Sequence, residues 1–391
     1  MTEAAAQYEA SRDRHLFGPG PKRILSLDGG GVRGAITVAF LERIEAVLSE
    51  REGRDIRLCD YFDLIGGTST GAVIAGALAL GYSIAEVKDF YLRLAPRVFR
   101  KSFWRIALWQ AKFDSHALQA EIEAVVGTRN LDTLDLLTGL CVVTKRMDTG
   151  SPWIVANNPR TRFWDTPADG SFIGNRHFRL SNLVRASTAA PSFFDPELLQ
   201  IVEGKLQGLF VDGAVTPHNN PALALFLMTT LKPFGLCWPS GPDRLLIASI
   251  GTGNFRSPLA AADLSRIRAI GLAIGSLRTL IHDDQDLVLT LMQWMGECLT
   301  PWPINAEIGS LADDAPPGGQ MFRFLRYDVR LEAPWLKEVL GLDVSPTDIV
   351  RLHRLDDPDM VPMLYEIGSR AAALQVKAEH WPAHPTDGAT P

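Results

Sequence analysis

ILSLDGGGVRG occupies residues 24–34 and joins a short apolar run to a glycine-rich turn. Across residues 35–50, apolar side chains recur every three or four positions, which predicts a helix with one buried face. Three consecutive glycines let backbone N–H groups approach a ligand without obstruction by Cβ, and the start of a helix favours negative charge. We therefore expect a strand–turn–helix unit in which Gly29, Gly30 and Gly31 are candidate donors to an oxyanion.

A second unit of the same kind follows at FDLIGGTSTG, residues 62–71, whose last five residues match the pattern G-x-S-x-G. Small residues on both sides of the serine permit a sharp bend from strand to helix that exposes the hydroxyl group. The pattern predicts Ser69 as a nucleophile and residues 71–82 as the helix behind it. Because two adjacent strand–turn–helix units can converge at one sheet edge, an oxyanion hole and a serine are expected side by side.

A serine hydroxyl needs a base to remove its proton, and the best candidate for that base is Asp212. It ends the strand-like run in GLFVDGA, residues 208–214, and two small residues follow it. The alternative is a triad with His282 or His353 as the base, in the chain order of the α/β-hydrolases. Each of these histidines lies in a segment with a helical pattern, so the direct Ser–Asp pair is favoured.

Together and in this order, the three elements resemble the patatin-like phospholipases. The family pattern D-G-G-G-x-R-G, then G-x-S-x-G, then D-G-[GA] is matched at residues 28–34, 67–71 and 212–214. Two further stretches also resemble the family, RASTAAP at residues 185–191 and NNP at residues 219–221. The resemblance covers roughly residues 21–255.

The resemblance implies a catalytic dyad with Ser69 as nucleophile and Asp212 as base, while the three glycines and Arg33 form or brace the oxyanion hole. It implies acyl-ester hydrolysis through a serine acyl-enzyme, with glycerophospholipids as substrates in the manner of a phospholipase A. Neither a metal nor a cofactor is implied. Asp28, which precedes the glycines, is interpreted separately as a cap of the next helix.

Other functions fit the motifs less well. GGGVRG, residues 29–34, formally satisfies the dinucleotide-binding pattern G-x-G-x-x-G, but the acid expected about twenty residues later would be Glu50 or Glu52, in a charged stretch. No lysine followed by serine or threonine comes after the glycines, so the Walker pattern is absent. Another lipid esterase, a thioesterase, or a non-enzymatic sensor that retains the fold stays open as an alternative.

The composition indicates which partners and which cellular compartment the protein can have. The 391-residue chain has a net charge of −6, which argues against binding a nucleic acid polymer through bulk attraction to phosphate. Its four cysteines, Cys59, Cys141, Cys237 and Cys298, form no C-x-x-C pair and are typical of a reducing compartment. Residues 1–20 lack the apolar region of a signal peptide. We expect a cytoplasmic protein that contacts membranes peripherally when active.

Helical and strand patterns alternate along the chain and predict an α/β protein. With the resemblance, the expectation is a patatin-like three-layer α/β/α sandwich around a mixed, mainly parallel sheet. We expect a flexible segment at 1–20, a catalytic core at 21–255, a C-terminal helical or cap extension at 256–375 packed on the core, and a disordered tail at 376–391. Further predicted helices are 84–94, 115–126, 260–280, 286–295 and 360–377, and further predicted strands are 139–145, 244–250 and 322–331.

Two regions suggest partners. Residues 97–113 interleave aromatic and basic side chains, which fits either contact with phospholipid headgroups or a helix that packs its aromatics on the core. The resembled family includes exported bacterial toxins and antiphage effectors switched on by cyclic oligonucleotides. A cyclic-nucleotide activator is therefore expected, with its phosphates held by basic residues in 97–105 or 144–162. The C-terminal extension would cap the active site or form a homodimer surface.

Overall fold

A computed structural model describes residues 10–99, 113–191, 193–256 and 269–382. Within these ranges a nine-stranded mixed sheet forms the centre of the molecule. Its strands are β1 (Lys22–Leu27), β2 (Leu64–Thr68), β3 (Gly139–Arg146), β4 (Ser151–Ala156), β5 (Glu197–Val202), β6 (Leu206–Asp212), β7 (Leu245–Ile250), β8 (Gly296–Cys298) and β9 (Phe322–Tyr327).

The sheet is mainly parallel, as predicted. β1 lies between β2 and β7, β3 pairs with β2, and β9 lies between β7 and β8, all in parallel. β4 and β6 pair with β3 in antiparallel fashion, and β5 extends the sheet beyond β6. The carboxyl ends of β1 and β2 therefore lie next to each other at one edge of the sheet.

Helices cover both faces of the sheet. They are α1 (Ser11–Phe17), α2 (Gly34–Glu52), α3 (Leu58–Tyr61), α4 (Thr70–Ala79), α5 (Ile84–Val98), α6 (Ser115–Val126), α7 (Leu180–Ser187), α8 (Ala222–Thr230), α9 (Ala269–Met295), α10 (Ala333–Leu340), α11 (Pro346–Leu352) and α12 (Val361–Gln375). No helix in the described ranges is both long and apolar enough to cross a bilayer.

Alternation along the strands produces two apolar layers, one on each face of the sheet. In β1, Ile24 packs with Leu225 of α8, whereas Leu25 packs in the other layer with side chains of α2 and α4. α12 covers α2 closely, since a Cβ on Gly368 would lie 2.9 Å from the Ile36 Cα atom. The predicted α/β/α sandwich is confirmed.

Several predicted boundaries need correction. The helices expected at 260–280 and 286–295 are one continuous helix where the structure describes them, α9, and residues 257–268 lie outside the described ranges. The strand expected to reach residue 331 ends at Tyr327. The C-terminal segment also does more than pack on the core, because β8 and β9 belong to the same sheet as β1. The division into core and extension stays a prediction.

The two ends of the chain were expected to be flexible or disordered, and where they are described this is wrong. Residues 11–17 form helix α1, whose Leu16 is buried under the sheet. Trp381 is buried against Tyr61 and Phe62, and the Tyr61 hydroxyl donates a hydrogen bond to the Pro382 carbonyl oxygen at 2.9 Å. Residues 1–9 and 383–391 lie outside the described residues.

The basic aromatic segment is described only at its two ends, because residues 100–112 lie outside the described ranges. Phe99 and Phe113 pack edge to face, with ring centroids 5.3 Å apart, and both contact Phe194. Arg97 forms an ion pair with Glu121. At these ends the aromatics belong to the core, while contact of the segment with a membrane stays a prediction.

Candidate active site

Ser69 stands at the sharp turn between β2 and α4. Its backbone has φ 55° and ψ −124°, a conformation that is strained for a residue with a side chain. A Cβ on Gly67 would lie 2.2 Å from the Gly71 backbone, and one on Gly71 would lie 2.3 Å from the Leu27 carbonyl oxygen. Only glycines allow this turn to pack so tightly, and the half-buried serine is lifted beyond the end of the strand.

Ser187, the last residue of α7, holds the Ser69 backbone in place. The Ser69 N–H donates to Ser187 Oγ at 2.8 Å, and the Ser187 hydroxyl donates onward to the Val143 carbonyl oxygen at 2.6 Å. Ser187 is fully buried, so these bonds are protected from water. It lies in the stretch RASTAAP, for which the sequence indicated family resemblance but no role.

The register of β3 brings Asp212 beside Ser69. β4 occupies one edge of β3 from Cys141 to Arg146, so β2 and β6 must share the opposite edge. β2 ends there with Thr68 beside Val143, and the next residue of β3, Thr144, pairs with Asp212. The last residue of β6 is thereby placed directly beyond the end of β2.

The Ser69 hydroxyl donates a hydrogen bond to Asp212 Oδ2 at 2.6 Å. The other carboxylate oxygen, Oδ1, accepts from the Ala214 N–H at 2.8 Å. Burial raises the pKa of Asp212 to about 6, and the hydrogen bonds from Ser69 and Ala214 oppose that rise. The carboxyl group is therefore ionised at neutral pH, yet it is a stronger base than an exposed aspartate.

The glycine loop packs directly against the serine. A Cβ on Gly29 would lie 3.2 Å from the Ser69 Cβ atom and 2.4 Å from Asn219 Oδ1. The Gly29 N–H donates to the Asn219 carbonyl oxygen at 3.0 Å, so it is already used. Among the residues described, the N–H groups of Gly30 and Gly31 donate no hydrogen bond. Two of the three predicted oxyanion donors, Gly30 and Gly31, therefore remain available.

Asp28 does not cap the next helix, and that interpretation was wrong. No side chain caps the start of α2. Instead, Asp28 Oδ2 accepts from Arg326 Nη2 at 2.8 Å, and the same guanidinium contacts Asp328 at 2.7 Å and Ser249 Oγ at 2.8 Å. All four side chains are buried. Arg326, which the sequence analysis did not associate with the site, anchors the glycine loop to β9.

The model of the patatin-like phospholipase family matches residues 25–226, slightly more than half of the chain. The chain belongs to the patatin-like phospholipase family. The matched range contains all three motifs and every strand from β2 to β6. The resemblance seen in the sequence, to a family of lipid acyl hydrolases, is confirmed at this level.

Among its relatives are two bacterial proteins named cGAMP-activated phospholipase. The one from Escherichia coli is 29% identical over 254 residues, 64% of this chain and 67% of that protein. The one from Vibrio cholerae is 33% identical over 216 residues, 52% of this chain and 56% of that protein. Patatin-like protein 1 of Arabidopsis thaliana is 30% identical over 255 residues, 59% of this chain and 58% of that protein. The chain thus spans between about half and two thirds of these curated relatives.

Among solved structures, human GIVD cytosolic phospholipase A2 is similar over 97% of this chain and 62% of its own, with 12% identity and a TM-score of 0.38. VipD from Legionella pneumophila is similar over 89% of this chain and 67% of its own, with 13% identity and a TM-score of 0.31.

Arg33, in the patatin-like glycine loop, is buried and faces an aromatic ring. Its guanidinium lies 5.5 Å from the ring centroid of Phe255, and within the described part of the chain its Nε and Nη1 atoms have no hydrogen-bond partner. Burial lowers the pKa of Arg33 to about 10, with Asp328 and Asp28 opposing the shift. The side chain therefore keeps its positive charge at neutral pH.

The two histidines of the alternative triad lie around the same ring. His353 stacks on Phe255 with centroids 3.7 Å apart, and His282 meets it edge-on at 5.1 Å. His353 Nε2 contacts the Leu331 carbonyl oxygen, and neither histidine makes a hydrogen bond to Ser69 or Asp212. The geometry therefore gives no support to a histidine triad. No group of three His, Cys, Asp or Glu side chains in the described ranges could hold a metal ion.

Proposed function

We propose that this patatin-like protein hydrolyses fatty-acyl esters of glycerophospholipids, as a phospholipase A, through a dyad of Ser69 and Asp212. The observation that carries the proposal is the 2.6 Å hydrogen bond from Ser69 Oγ to a buried carboxylate. A serine activated in this way can attack an ester carbonyl without a histidine intermediary. Family membership supports a lipid ester as the substrate.

In the first half-reaction, the Asp212 carboxylate takes the Ser69 proton while Oγ attacks the ester carbonyl carbon. The carbonyl oxygen becomes an oxyanion, which the N–H groups of Gly30 and Gly31 stabilise by hydrogen bonds that strengthen as the negative charge develops. When the tetrahedral intermediate collapses, the lysophospholipid oxygen leaves and takes the proton from Asp212. The fatty-acyl chain remains esterified to Ser69.

In the second half-reaction, Asp212 takes a proton from water as the water oxygen attacks the acyl-serine carbonyl. The same two N–H groups stabilise the second oxyanion. Collapse then expels Ser69 Oγ, which recovers its proton from Asp212, and the fatty acid is released. Arg33 adds a buried positive charge on the same loop, and this charge helps the glycines to stabilise the negative charge of the oxyanion.

We further propose that a cyclic nucleotide switches the enzyme on, as part of an antiphage response. Two relatives carry activation by cGAMP in their names, which supports this form of control. A phospholipase that attacks bilayers would harm its own cell unless its activity were low before a signal. Contact with the membrane surface during catalysis, a cytoplasmic location and a homodimer stay predictions.

The test is release of fatty acid from mixed phospholipid vesicles, with and without cyclic GMP–AMP. Wild type and Ser69→Ala are compared, and Ser171→Ala on an exposed loop is the matched control. We expect release by wild type and by the control, none by Ser69→Ala, and a strong increase with the nucleotide. Release that does not depend on Ser69 would contradict the dyad, and equal release with and without the nucleotide would contradict the switch.

A further inference from the structure

A cavity of about 240 Å³ lies where β1 begins, at the opposite end of the parallel strands from Ser69. α1, the first residue of β1, Arg160, the 236–239 loop and Arg244 line it. Lys22 begins β1 and pairs with Leu245 at the start of β7, whereas the glycine loop follows the other end of β1. A six-residue strand spans about 20 Å, so the cavity is separate from the candidate active site.

Cations dominate this cavity although the whole chain is acidic. Lys22, Arg160 and Arg244 line it, and none of its lining residues is an acid. Within the described part of the chain, the guanidinium groups of Arg160 and Arg244 make neither an ion pair nor a hydrogen bond, and both residues are exposed. In a protein with a net charge of −6, such unpaired arginines mark a local site for an anion.

Two aromatic rings complete the lining. The Arg160 guanidinium lies 3.7 Å from the ring centroid of Phe17, and Lys22 Nζ lies 5.5 Å from that of Trp238. The Trp238 ring is buried and held by a hydrogen bond from Nε1 to the Leu16 carbonyl oxygen at 2.8 Å. Stacking orients a guanidinium by its face and leaves the N–H groups on its edge free to bind phosphate.

We propose that this cavity binds a nucleotide through one base and its phosphate. Arg160 and Arg244 bind the phosphate, and the base packs against the half-buried Phe17 and the exposed Pro19 and Pro239 of the lining. The volume is close to the lower end of small-molecule sites, about 300 Å³, which suits one mononucleotide or one half of a cyclic dinucleotide. Arg160 is also one of the basic residues in 144–162 expected to contact phosphates.

Two rigid elements join the cavity to the glycine loop. β1 runs from Lys22 in the cavity lining to the residue before Asp28. The backbone N–H of Trp238 donates to the carbonyl oxygen of Thr229 in α8. In the segment before α8, the Asn219 carbonyl oxygen accepts a hydrogen bond from the Gly29 N–H. A ligand that moves Trp238 would act on the oxyanion loop through α8. This link to activation rests on the function proposed above, whereas nucleotide binding itself does not.

The binding test uses full-length Ser69→Ala protein, so that hydrolysis plays no part. Calorimetric titrations with cyclic GMP–AMP, GMP and inorganic phosphate are compared, in this background and with Arg160→Ala and Arg244→Ala added. Arg54→Ala is the matched control, since this exposed arginine lies outside both candidate phosphate-binding segments and does not line the cavity. Unchanged thermal midpoints verify that each variant is folded.

We expect both nucleotides to bind more tightly than phosphate, each cavity arginine variant to weaken their binding at least tenfold, and Arg54→Ala to bind as before. Equal affinity for GMP and phosphate would overturn the nucleotide site in favour of a simple anion site. Nucleotide binding that survives both arginine changes would also overturn it. Vesicle hydrolysis by wild type is scored separately, so an active enzyme without this site and a binding site on an inactive protein are distinguishable outcomes.

Discussion

Asp28 and Asp212 are two buried carboxyl groups at strand ends with opposite surroundings. Asp28 directly follows β1, and Asp212 is the last residue of β6. Burial raises the pKa of each to about 6, so accessibility and basicity do not distinguish them. Their neighbours do, because Asp28 contacts the Arg326 guanidinium at 2.8 Å while Asp212 accepts a hydrogen bond from the Ser69 hydroxyl at 2.6 Å.

The difference shows that a partner, more than a pKa, determines what a buried carboxylate can do. Bound to a guanidinium that Asp328 also contacts, Asp28 holds a loop in place. Facing a hydroxyl group, Asp212 can accept a proton and return it. Arg185, whose positive charge lowers the pKa of Asp212, donates its hydrogen bond to the Asp195 carbonyl oxygen instead.

The largest expected effect is on turnover, and it distinguishes Asp212 from Asp28. Asp212→Asn removes the base and should lower turnover about a thousandfold, because general-base catalysis contributes roughly 10²- to 10⁴-fold. The fold should persist, since an amide can still bond Ser69 and the Ala214 N–H. Fatty-acid release from vesicles with cyclic GMP–AMP present measures this, with exposed Asp313→Asn as the matched control. Near wild-type turnover in Asp212→Asn would remove the dyad.

The next effect separates them by stability. Asp28→Asn takes one carboxylate from the buried Arg326 and should lower the free energy of unfolding by about 3 kcal/mol, the lower end for a broken buried ion pair, because Asp328 remains. Turnover of the folded variant should fall less than tenfold. Urea unfolding of Asp28→Asn, Asp212→Asn and Asp313→Asn compares the three changes. If Asp212→Asn proved the least stable of them, the assignment of roles would be reversed.

The smallest effect lies in pH dependence. Since Asp212 must be ionised to act as base, kcat/KM should rise with pH and reach half its maximum near pH 6. Both carboxyls have raised pKa values, so the folded state binds more protons than the unfolded state between about pH 4 and 6, and their contribution to stability falls as pH rises through that window.

Measuring kcat/KM from pH 5 to 8 in wild type and in Asp28→Asn sharpens the contrast further. The activity inflection should stay in place when Asp28 is replaced, because that residue does not touch the reacting atoms. An inflection that moved or vanished in Asp28→Asn would mean that ionisation of Asp28, and not of Asp212, produces the pH dependence of activity.

Local sequence determined the two glycine-rich turns, the bend at Ser69 and the acid at the end of β6. Each of these depends on a few neighbouring residues: glycines where no Cβ fits, apolar runs before them, and helical periodicity after them. For the same reason, α6 was predicted at its observed bounds. The order of the motifs indicated the family, and that resemblance implied the pairing of Ser69 with Asp212.

Tertiary structure alone decided which groups are already occupied. Arg326 reaches Asp28 across 298 residues of chain, Ser187 holds the Ser69 N–H, and Asn219 uses the Gly29 N–H that the sequence had offered as an oxyanion donor. None of these partners is fixed by local pattern. They depend on strand register and on the packing of distant elements, where a shift of one residue would turn a side chain to the other face of the sheet.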